Sequence, residues 1–145
     1  MNYEHTQRSP LGWILLACGI FVFVFGWTHS EQILFKIISV VITLIIIMLS
    51  QCFGTLTVRD EGERLAVRFG PLPIFRTRIP YSEMIDIQPD RSNILDGWGI
   101  HYTPGKGTIY NVWGLDCVKI QKKEKFIRIG TDDKDALVHF LKTRI

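Results

Sequence analysis

The sequence predicts an α+β membrane protein, in which an N-terminal two-helix transmembrane hairpin is followed by a strand-rich domain ending in an α-helix. Residues 11–27 and 33–53 are two long apolar runs, separated by the polar loop 28–32 (THSEQ). From residue 54 onward, charged residues occur every few positions and apolar residues alternate with polar ones, which is the period of β-strands. Near the C-terminus the period changes to that of a helix.

The two apolar runs are suited to crossing a bilayer. A hydrocarbon core of about 30 Å needs about 20 helical residues, so the first run is short and the second adequate. A secretory signal peptide is the alternative for the first run, but residues 25–29 (FGWTH) lack a small-x-small cleavage site and a second apolar run follows at once. A buried hairpin in a soluble protein is the other alternative, but a chain of 145 residues is too small to surround these runs.

The charges flanking the apolar runs predict their orientation. Lys and Arg near membrane spans are retained on the cytoplasmic side. The loop 28–32 contains neither, whereas Arg8 precedes the first run and Arg59, Arg64 and Arg68 follow the second. Both termini are therefore expected to be cytoplasmic.

This orientation divides the chain into three parts. Residues 1–10 are an N-terminal cytoplasmic tail, 11–53 the transmembrane hairpin and 54–145 a cytoplasmic domain. Lys36 lies one turn into the second run, and we expect its ammonium to snorkel to the interface near Glu31, with an intramembrane ion site as the alternative.

A stripe of small residues on each run predicts how the helices pack. Gly12, Gly19 and Gly26 repeat every seven residues, so they share one helical face. Small polar residues occupy a comparable face of the second run: Ser39, Thr43 and Ser50. We interpret these stripes as the seam of the hairpin, with contact between copies of the chain as the competing use. Neither run contains an acidic residue, which argues against a proton or cation path.

The remaining sequence is mildly basic. The chain has 17 Lys and Arg against 14 Asp and Glu, a net charge of +3, and the charges of 54–145 are mixed along the sequence. Such mixing argues against a nucleic-acid partner, which requires clustered basic residues. The densest basic group contains Lys122, Lys123 and Lys125, which are candidate contacts for lipid headgroups. An ordinary solvated turn is the alternative.

The alternating pattern predicts about seven strands. They are residues 56–58, 65–69, the long stretch 74–87, 98–102, 107–112, 117–121 and 125–129. The acidic turn 60–63 (DEGE) joins the first two as a hairpin, and loops 70–73, 103–106 and 122–124 follow. Pro80 bends the long stretch because it cannot donate to a central ladder.

The last segment predicts an amphipathic helix. Thr131 or Asp132 caps it, and acidic residues in its first turn favour the positive end of the helix dipole. One apolar stripe follows: Ala136, Leu137, Phe140 and Leu141.

Several segments together resemble a known family. They are 67–71 (VRFGP), 78–85 (RIPYSEMI), 97–100 (GWGI) and 127–133 (IRIGTDD), the last followed by the terminal helix. They are similar to the two-pass type of bacterial pleckstrin-homology-like (PH-like) membrane proteins. The resemblance implies a protein of the bacterial inner membrane. Its cytoplasmic domain would be a strongly bent PH-like barrel or sandwich of two sheets. It also implies that the C-terminal helix closes the open end of the barrel, with Leu137, Phe140 and Leu141 as the plug.

The lipid site of this family is not expected here. Lipid-binding members carry a basic cluster on the first hairpin, whereas residues 59–64 (RDEGER) contain three carboxylates. Carboxylates would repel a multiply charged phosphate headgroup.

No residue pattern points to catalysis. Residues 99–107 end in GKG, but the glycine spacing and the residue after Lys106 do not fit a phosphate-binding loop. The three cysteines and four histidines are dispersed, without the spacing of metal ligands. Trp98 lies between two glycines, which suit a bulge or close packing, with the lining of a pocket as the alternative. We therefore expect no enzyme activity, no cofactor and no metal site.

Two classes of function remain. The first is a membrane-tethered interaction module that presents a small barrel to a protein partner or to a second copy of the chain. The second is a module that binds or senses an anionic lipid or small ligand, and an accessory subunit of a membrane complex is a further alternative. The first is favoured, because a tether already supplies membrane attachment.

Overall fold

The computed structural model describes residues 2–72, 74–93, 97–105, 107–123 and 125–145. In these residues the chain is α+β, with two apolar N-terminal helices, a β-sandwich of two sheets and a C-terminal helix. The elements in chain order are β1 (Glu4–Arg8), α1 (Leu11–Thr28), α2 (Ile33–Cys52), β2 (Thr55–Asp60), β3 (Arg64–Phe69), β4 (Arg76–Pro80), a 3₁₀ turn (Tyr81–Glu83), β5 (Asp86–Arg91), β6 (Gly99–Thr103), β7 (Gly107–Asn111), β8 (Asp116–Gln121), β9 (Phe126–Gly130) and α3 (Lys134–Lys142). Three residues of the predicted loops, Pro73, Lys106 and Glu124, lie outside the described residues.

The two predicted apolar helices are confirmed. Both α1 and α2 are long and apolar enough to cross a membrane, with mean hydropathies of 2.1 and 2.8. They pack on each other along one seam, and most of their large side chains face outward, including Trp13, Phe21, Ile33 and Leu44. Lys36 points back toward α1, but its ammonium lies 5.2 Å from the centre of the Trp27 ring rather than beside Glu31.

Strand β1 differs from the sequence prediction, which places these residues in a tail. It pairs antiparallel with β2, with Glu4 opposite Arg59 and Arg8 opposite Thr55. The helical hairpin is therefore inserted between two adjacent strands of one sheet. The sequence of β1 (EHTQR) contains no apolar residue, so its pairing depends on backbone hydrogen bonds and on anchors beside it. One anchor is Tyr3, whose ring stacks on Phe140 of α3 at 5.1 Å.

The long extended stretch divides into two strands in different sheets. Strand β4 ends at Pro80, the 3₁₀ turn follows, and β5 begins at Asp86 in the second sheet. Pro80 has no N–H to continue a ladder, so the chain leaves the first sheet there. With β1 and this division, the described residues form nine strands rather than seven.

The strand orders of the two sheets differ in kind. The first sheet is a meander, β1-β2-β3-β4, and the second has the order β5-β8-β9-β7-β6. Strand β7 pairs with β9 in parallel, so the β6–β7 hairpin extends the second sheet beyond β9. Gly107 permits this close pairing, because its φ is +77° and an added Cβ would lie 1.9 Å from the carbonyl oxygen of Phe126.

Helix α3 packs against β5 and β8 and buries three residues of its predicted apolar stripe, whereas the fourth, Ala136, is exposed. Leu137, Phe140 and Leu141 all belong to the core between the sheets. The N-cap is Asp133, one or two residues later than predicted. Thr131 instead accepts a hydrogen bond from the Asp133 N–H through its Oγ1, at 3.0 Å, which shapes the turn before the helix.

Candidate functional site

The predicted lysine cluster lies in the turn between β8 and β9. Lys122 forms an ion pair with Glu83 and donates its backbone N–H to the carbonyl of Lys125 at 2.8 Å. Lys123 and Lys125 are exposed. This turn lies at the opposite end of β8 from the loop that contacts the start of α1, where Ser9 Oγ donates to the carbonyl of Val112 at 3.0 Å. The cluster is therefore remote from the junction of helices and sheets.

The predicted small residues of the two helices face each other in three layers. At one end Gly26 meets Ser39, and an added Cβ on Gly26 would lie 2.3 Å from the serine Cβ. In the middle Thr43 Oγ1 donates to the Gly19 carbonyl across the seam at 3.2 Å.

The third layer adjoins the sheet. An added Cβ on Gly12 would lie 2.9 Å from the Ser50 carbonyl oxygen and 3.0 Å from the Cα of Gly54. Small residues at a helix–helix interface let the two backbones approach closely, because no large side chain lies between them. The structure thus brings all six predicted seam residues to one interface within the chain.

The helices join the first sheet through a tight backbone joint. The N–H of Ser9, two residues before α1, donates to the carbonyl of Gly54, the residue before β2, at 2.9 Å. Gly70, at the end of β3, packs on the end of α2, where an added Cβ would lie 2.5 Å from the carbonyl oxygen of Gln51. The hairpin and the sheet therefore meet without an intervening linker.

The outer face of the first sheet carries six arginines. Side chains of a strand alternate between faces, so every second residue of β1 to β4 faces away from the core. The arginines on this face are Arg8, Arg59, Arg64, Arg68, Arg76 and Arg78. We call this surface the arginine face. The charges are mixed along the chain, as the sequence indicates, but the sheet gathers these six arginines on one side.

In the described ranges, the acidic partners of the arginine face lie at the end that is remote from the helices. Glu4 lies 3.7 Å from Arg59, and Glu61 lies 3.3 Å from Arg64 and 2.9 Å from Arg78.

The three remaining arginines lie nearer the helices. Arg68 and Arg76 are directly opposite each other on β3 and β4, and Arg8 is the last residue of β1. Among the described residues, no carboxylate forms an ion pair with any of these three. The charge of the arginine face is therefore partly compensated at its far end, where two carboxylates pair with three arginines, and, for the residues described, uncompensated by ion pairs at its near end.

A cavity of about 400 Å³ lies where the arginine face meets the helices. Arg8 and Thr6 line its sheet side, and Trp13 and Leu16 of α1 line its helix side. A smaller hollow of about 100 Å³ on the same face is lined by Arg68 and Arg76 and, toward the far end, by Glu4 and Glu61. Both cationic and apolar groups thus converge on the near end of the face.

A buried carboxylate connects the far end of the first sheet to α3. The side chain of Asp60 is 1% exposed and accepts hydrogen bonds from Tyr81 Oη and the Gly62 N–H, both at 2.8 Å, and from Arg144. Burial opposes ionisation of Asp60, but these hydrogen bonds and the Arg144 charge outweigh it and lower the pKa of the carboxyl. Burial, reinforced by the Asp60 carboxylate, raises the pKa of Tyr81. The group is a structural ion pair that locks the end of the chain to the sheet.

An exposed aromatic ridge runs along β6. Trp98 immediately precedes β6 and continues the alternation of Ile100 and Tyr102 within it, and the three residues are 45%, 41% and 73% exposed. The Trp98 ring stacks on Trp113 with centroids 4.5 Å apart, which fixes it at the surface. We call Trp98, Ile100 and Tyr102 the β6 ridge. It occupies the edge strand of the five-stranded sheet.

The described residues contain no group of three His, Cys, Asp or Glu side chains arranged to hold a metal ion. The cysteines are separate thiols, with Cys18 exposed and Cys52 and Cys117 buried. His101 is exposed on β6, beside Gly97.

Comparison with known proteins gives no relative: no protein-family model matches the chain, and no curated protein matches its sequence. The candidate surfaces are therefore assigned from their own chemistry. They are the near end of the arginine face and the β6 ridge.

Proposed function

We propose that this chain is a membrane-anchored, non-catalytic interaction module. In this proposal α1 and α2 cross the bacterial inner membrane, and a PH-like β-domain lies at its cytoplasmic face, where it binds a protein partner. One observation carries the anchoring: the hairpin leaves from β1 and returns to β2, while its large apolar side chains face outward. Each such side chain favours an apolar environment over water by about 1.5–3 kcal/mol.

The strand order supports the PH-like identity. A four-stranded meander is followed by β5, β8, β9 and α3, once the β6–β7 hairpin is regarded as an addition to the second sheet. Helix α3 inserts Leu137 and Leu141 between the sheets, both fully buried. This agrees with the small barrel closed by a C-terminal helix that the family resemblance implies.

The charge distribution supports the cytoplasmic orientation of the β-domain. The loop between α1 and α2 contains Glu31 and no Lys or Arg, whereas the opposite end of the hairpin adjoins the arginine face. Basic residues within about 15–20 residues of a span favour the cytoplasmic side. Because β1 and β2 are paired, both ends of the hairpin lie on the same side.

The β6 ridge supports a protein partner. Exposed aromatic side chains held in fixed positions are typical of the energetic centre of protein interfaces. The ridge is also part of an added hairpin, so a partner can contact it without disturbing the core of the two sheets. Residues Ile100 and Tyr102 are its best points for substitution, because Trp98 also packs on Trp113.

Affinity purification of the full-length protein from its native membrane in mild detergent tests this function. We expect a stoichiometric protein partner that survives high salt and is lost from the Ile100→Ser/Tyr102→Ser variant. Ile85→Ser is the matched control, because Ile85 is 57% exposed and lies outside the ridge. A protein that elutes alone, or a partner retained by the ridge variant, would contradict the proposal. Retention of an anionic lipid alone would favour a lipid sensor instead.

A further inference from the structure

The cationic end of the arginine face lies beside the start of α1. Arg8 precedes α1 by three residues, and Arg68 and Arg76 occupy the next outward-facing row of the sheet. Outward-facing rows are two residues apart, so this row is only about 7 Å further along the strands than Arg8. The polar headgroup layer on one side of a bilayer is about 5–7 Å thick. If α1 spans a membrane, all three guanidinium groups are within reach of lipid phosphates.

The adjoining cavity has the chemistry of a lipid at the membrane surface. Its sheet side presents Arg8 and hydroxyl groups such as that of Thr6, and its helix side presents Trp13 and Leu16. Trp13 is 76% exposed and lies in the first turn of α1, the level at which aromatic residues mark membrane interfaces. A lipid phosphate would match the polar sheet side of this cavity, and acyl chains along α1 would match its apolar helix side.

The placement of carboxylates distinguishes this end from the rest of the surface. Within the part of the chain that the structure describes, Glu4 and Glu61 form ion pairs with Arg59, Arg64 and Arg78 and with none of the three arginines at the near end. Lys122, in the other basic group, already pairs with Glu83. The near end of the arginine face is therefore the part of this surface that should attract an anion most strongly. It is also the part that the helices would hold closest to the bilayer.

We propose that Arg8, Arg68 and Arg76 bind the phosphate headgroup of an anionic phospholipid from the bilayer that holds α1 and α2. The lipid inserts its headgroup between the arginine face and the start of α1, with its acyl chains beside Trp13. This inference rests on the proposed membrane anchoring, but it does not depend on a protein partner. It assigns lipid selectivity to the outer face of the first sheet and not to the acidic turn between β2 and β3.

Native mass spectrometry of the full-length protein released from nanodiscs tests this inference. The nanodiscs contain equal amounts of phosphatidylglycerol and phosphatidylcholine, which differ in net headgroup charge. Each basic residue near an anionic surface contributes about five-fold to binding, so the pair Arg68 and Arg76 contributes about 25-fold. We expect the wild-type protein to retain phosphatidylglycerol preferentially, and the Arg68→Gln/Arg76→Gln variant to lose most of that preference.

The matched control is Lys123→Gln/Lys125→Gln, which removes two exposed charges from the turn between β8 and β9, remote from the arginine face. This control should keep most of the preference. Equal retention of both lipids by wild-type protein, or equal loss in both double variants, would overturn the site. A chain that never enters nanodiscs would instead overturn the anchoring, and with it this inference.

Discussion

Replacement of Asp60 by Asn should destabilise the β-domain by about 1.5–3 kcal/mol. In the structure Oδ1 of Asp60 accepts from both Tyr81 Oη and the Gly62 N–H, while Oδ2 faces Arg144. An asparagine can keep both bonds to Oδ1 but places an amide N–H₂ against the guanidinium. The loss is therefore one hydrogen bond between charged groups, worth about 1.5–3 kcal/mol. Asp60→Ala removes all three bonds and should cost about 3–5 kcal/mol.

The same carboxylate makes stability depend on pH in a defined direction. The folded state lowers the pKa of Asp60 below its ordinary value of 3.8. Its contribution is therefore fully present above about pH 4 and is lost as the pH falls through the lower, folded-state pKa. Protonated Asp60 resembles Asn, so the difference between wild type and Asp60→Asn should shrink below about pH 4.

Urea unfolding of full-length protein in detergent micelles, followed by tryptophan fluorescence, measures these free energies. A double-mutant cycle with Arg144→Gln isolates the ion pair, because Arg144 also contacts the rings of Tyr81 and Phe140. We expect a coupling energy above about 1 kcal/mol at neutral pH. A coupling near zero, or a wild-type advantage that stays constant into strong acid, would refute the reasoning.

Three further perturbations have definite outcomes. Gly107→Ala should lower the free energy of unfolding in urea by more than about 3 kcal/mol, because the added Cβ would clash with the backbone of β9. Gly105 has the same φ of +77° but open space around it, so Gly105→Ala should lower this free energy by only about 1 kcal/mol. Similar losses of stability in the two variants would contradict the close β7–β9 pairing. Gly26→Ala should lower the thermal midpoint of unfolding in micelles, because overpacking against Ser39 costs about 1–3 kcal/mol, and adding Ser39→Gly should restore the midpoint. An unchanged midpoint in Gly26→Ala would contradict the close packing of α1 on α2. In a variant without native cysteines, a cysteine at Ser30 should react with an impermeant reagent only from the membrane face opposite to one placed in α3, and labelling of both from one side would exclude the proposed crossing.

The parts of the fold that sequence could predict are those in which apolar residues show a clear period. The helices and the hairpins β2–β3, β6–β7 and β8–β9 each have such a pattern, and the structure contains all of them. Strand β1 has no such signal, because its five residues are polar. Its partner β2 is also distant in sequence, since the paired residues Arg8 and Thr55 are 47 positions apart. The parallel pairing of β7 with β9 is likewise set by contacts distant in sequence, for which a local pattern carries no information.

The arginine face was missed for a different reason. A count of charges along 54–145 ignores which face of a strand each residue occupies, whereas alternate residues of a strand lie on opposite faces of the sheet. Arg76 and Arg78 are two residues apart and Arg64 and Arg68 four, so each pair must share a face. That spacing was available in the sequence, but joining the pairs to Arg8 required the pairing of β1. The seam residues Gly26 and Ser39 were identifiable because small residues on a helix keep a regular period.

Inserting the hairpin between β1 and β2 has a consequence for biosynthesis. The ribosome completes β1 first, but its partner emerges only after both helices have been made. If α1 and α2 cross a membrane as proposed, the first sheet cannot close until both helices have been inserted and the chain has returned to the side on which β1 lies. The backbone hydrogen bond between Ser9 and Gly54 then forms only when both ends of the hairpin lie side by side. A chain in which β1 does not reach β2 would keep that edge of β2 unpaired, and exposed strand edges of this kind favour aggregation.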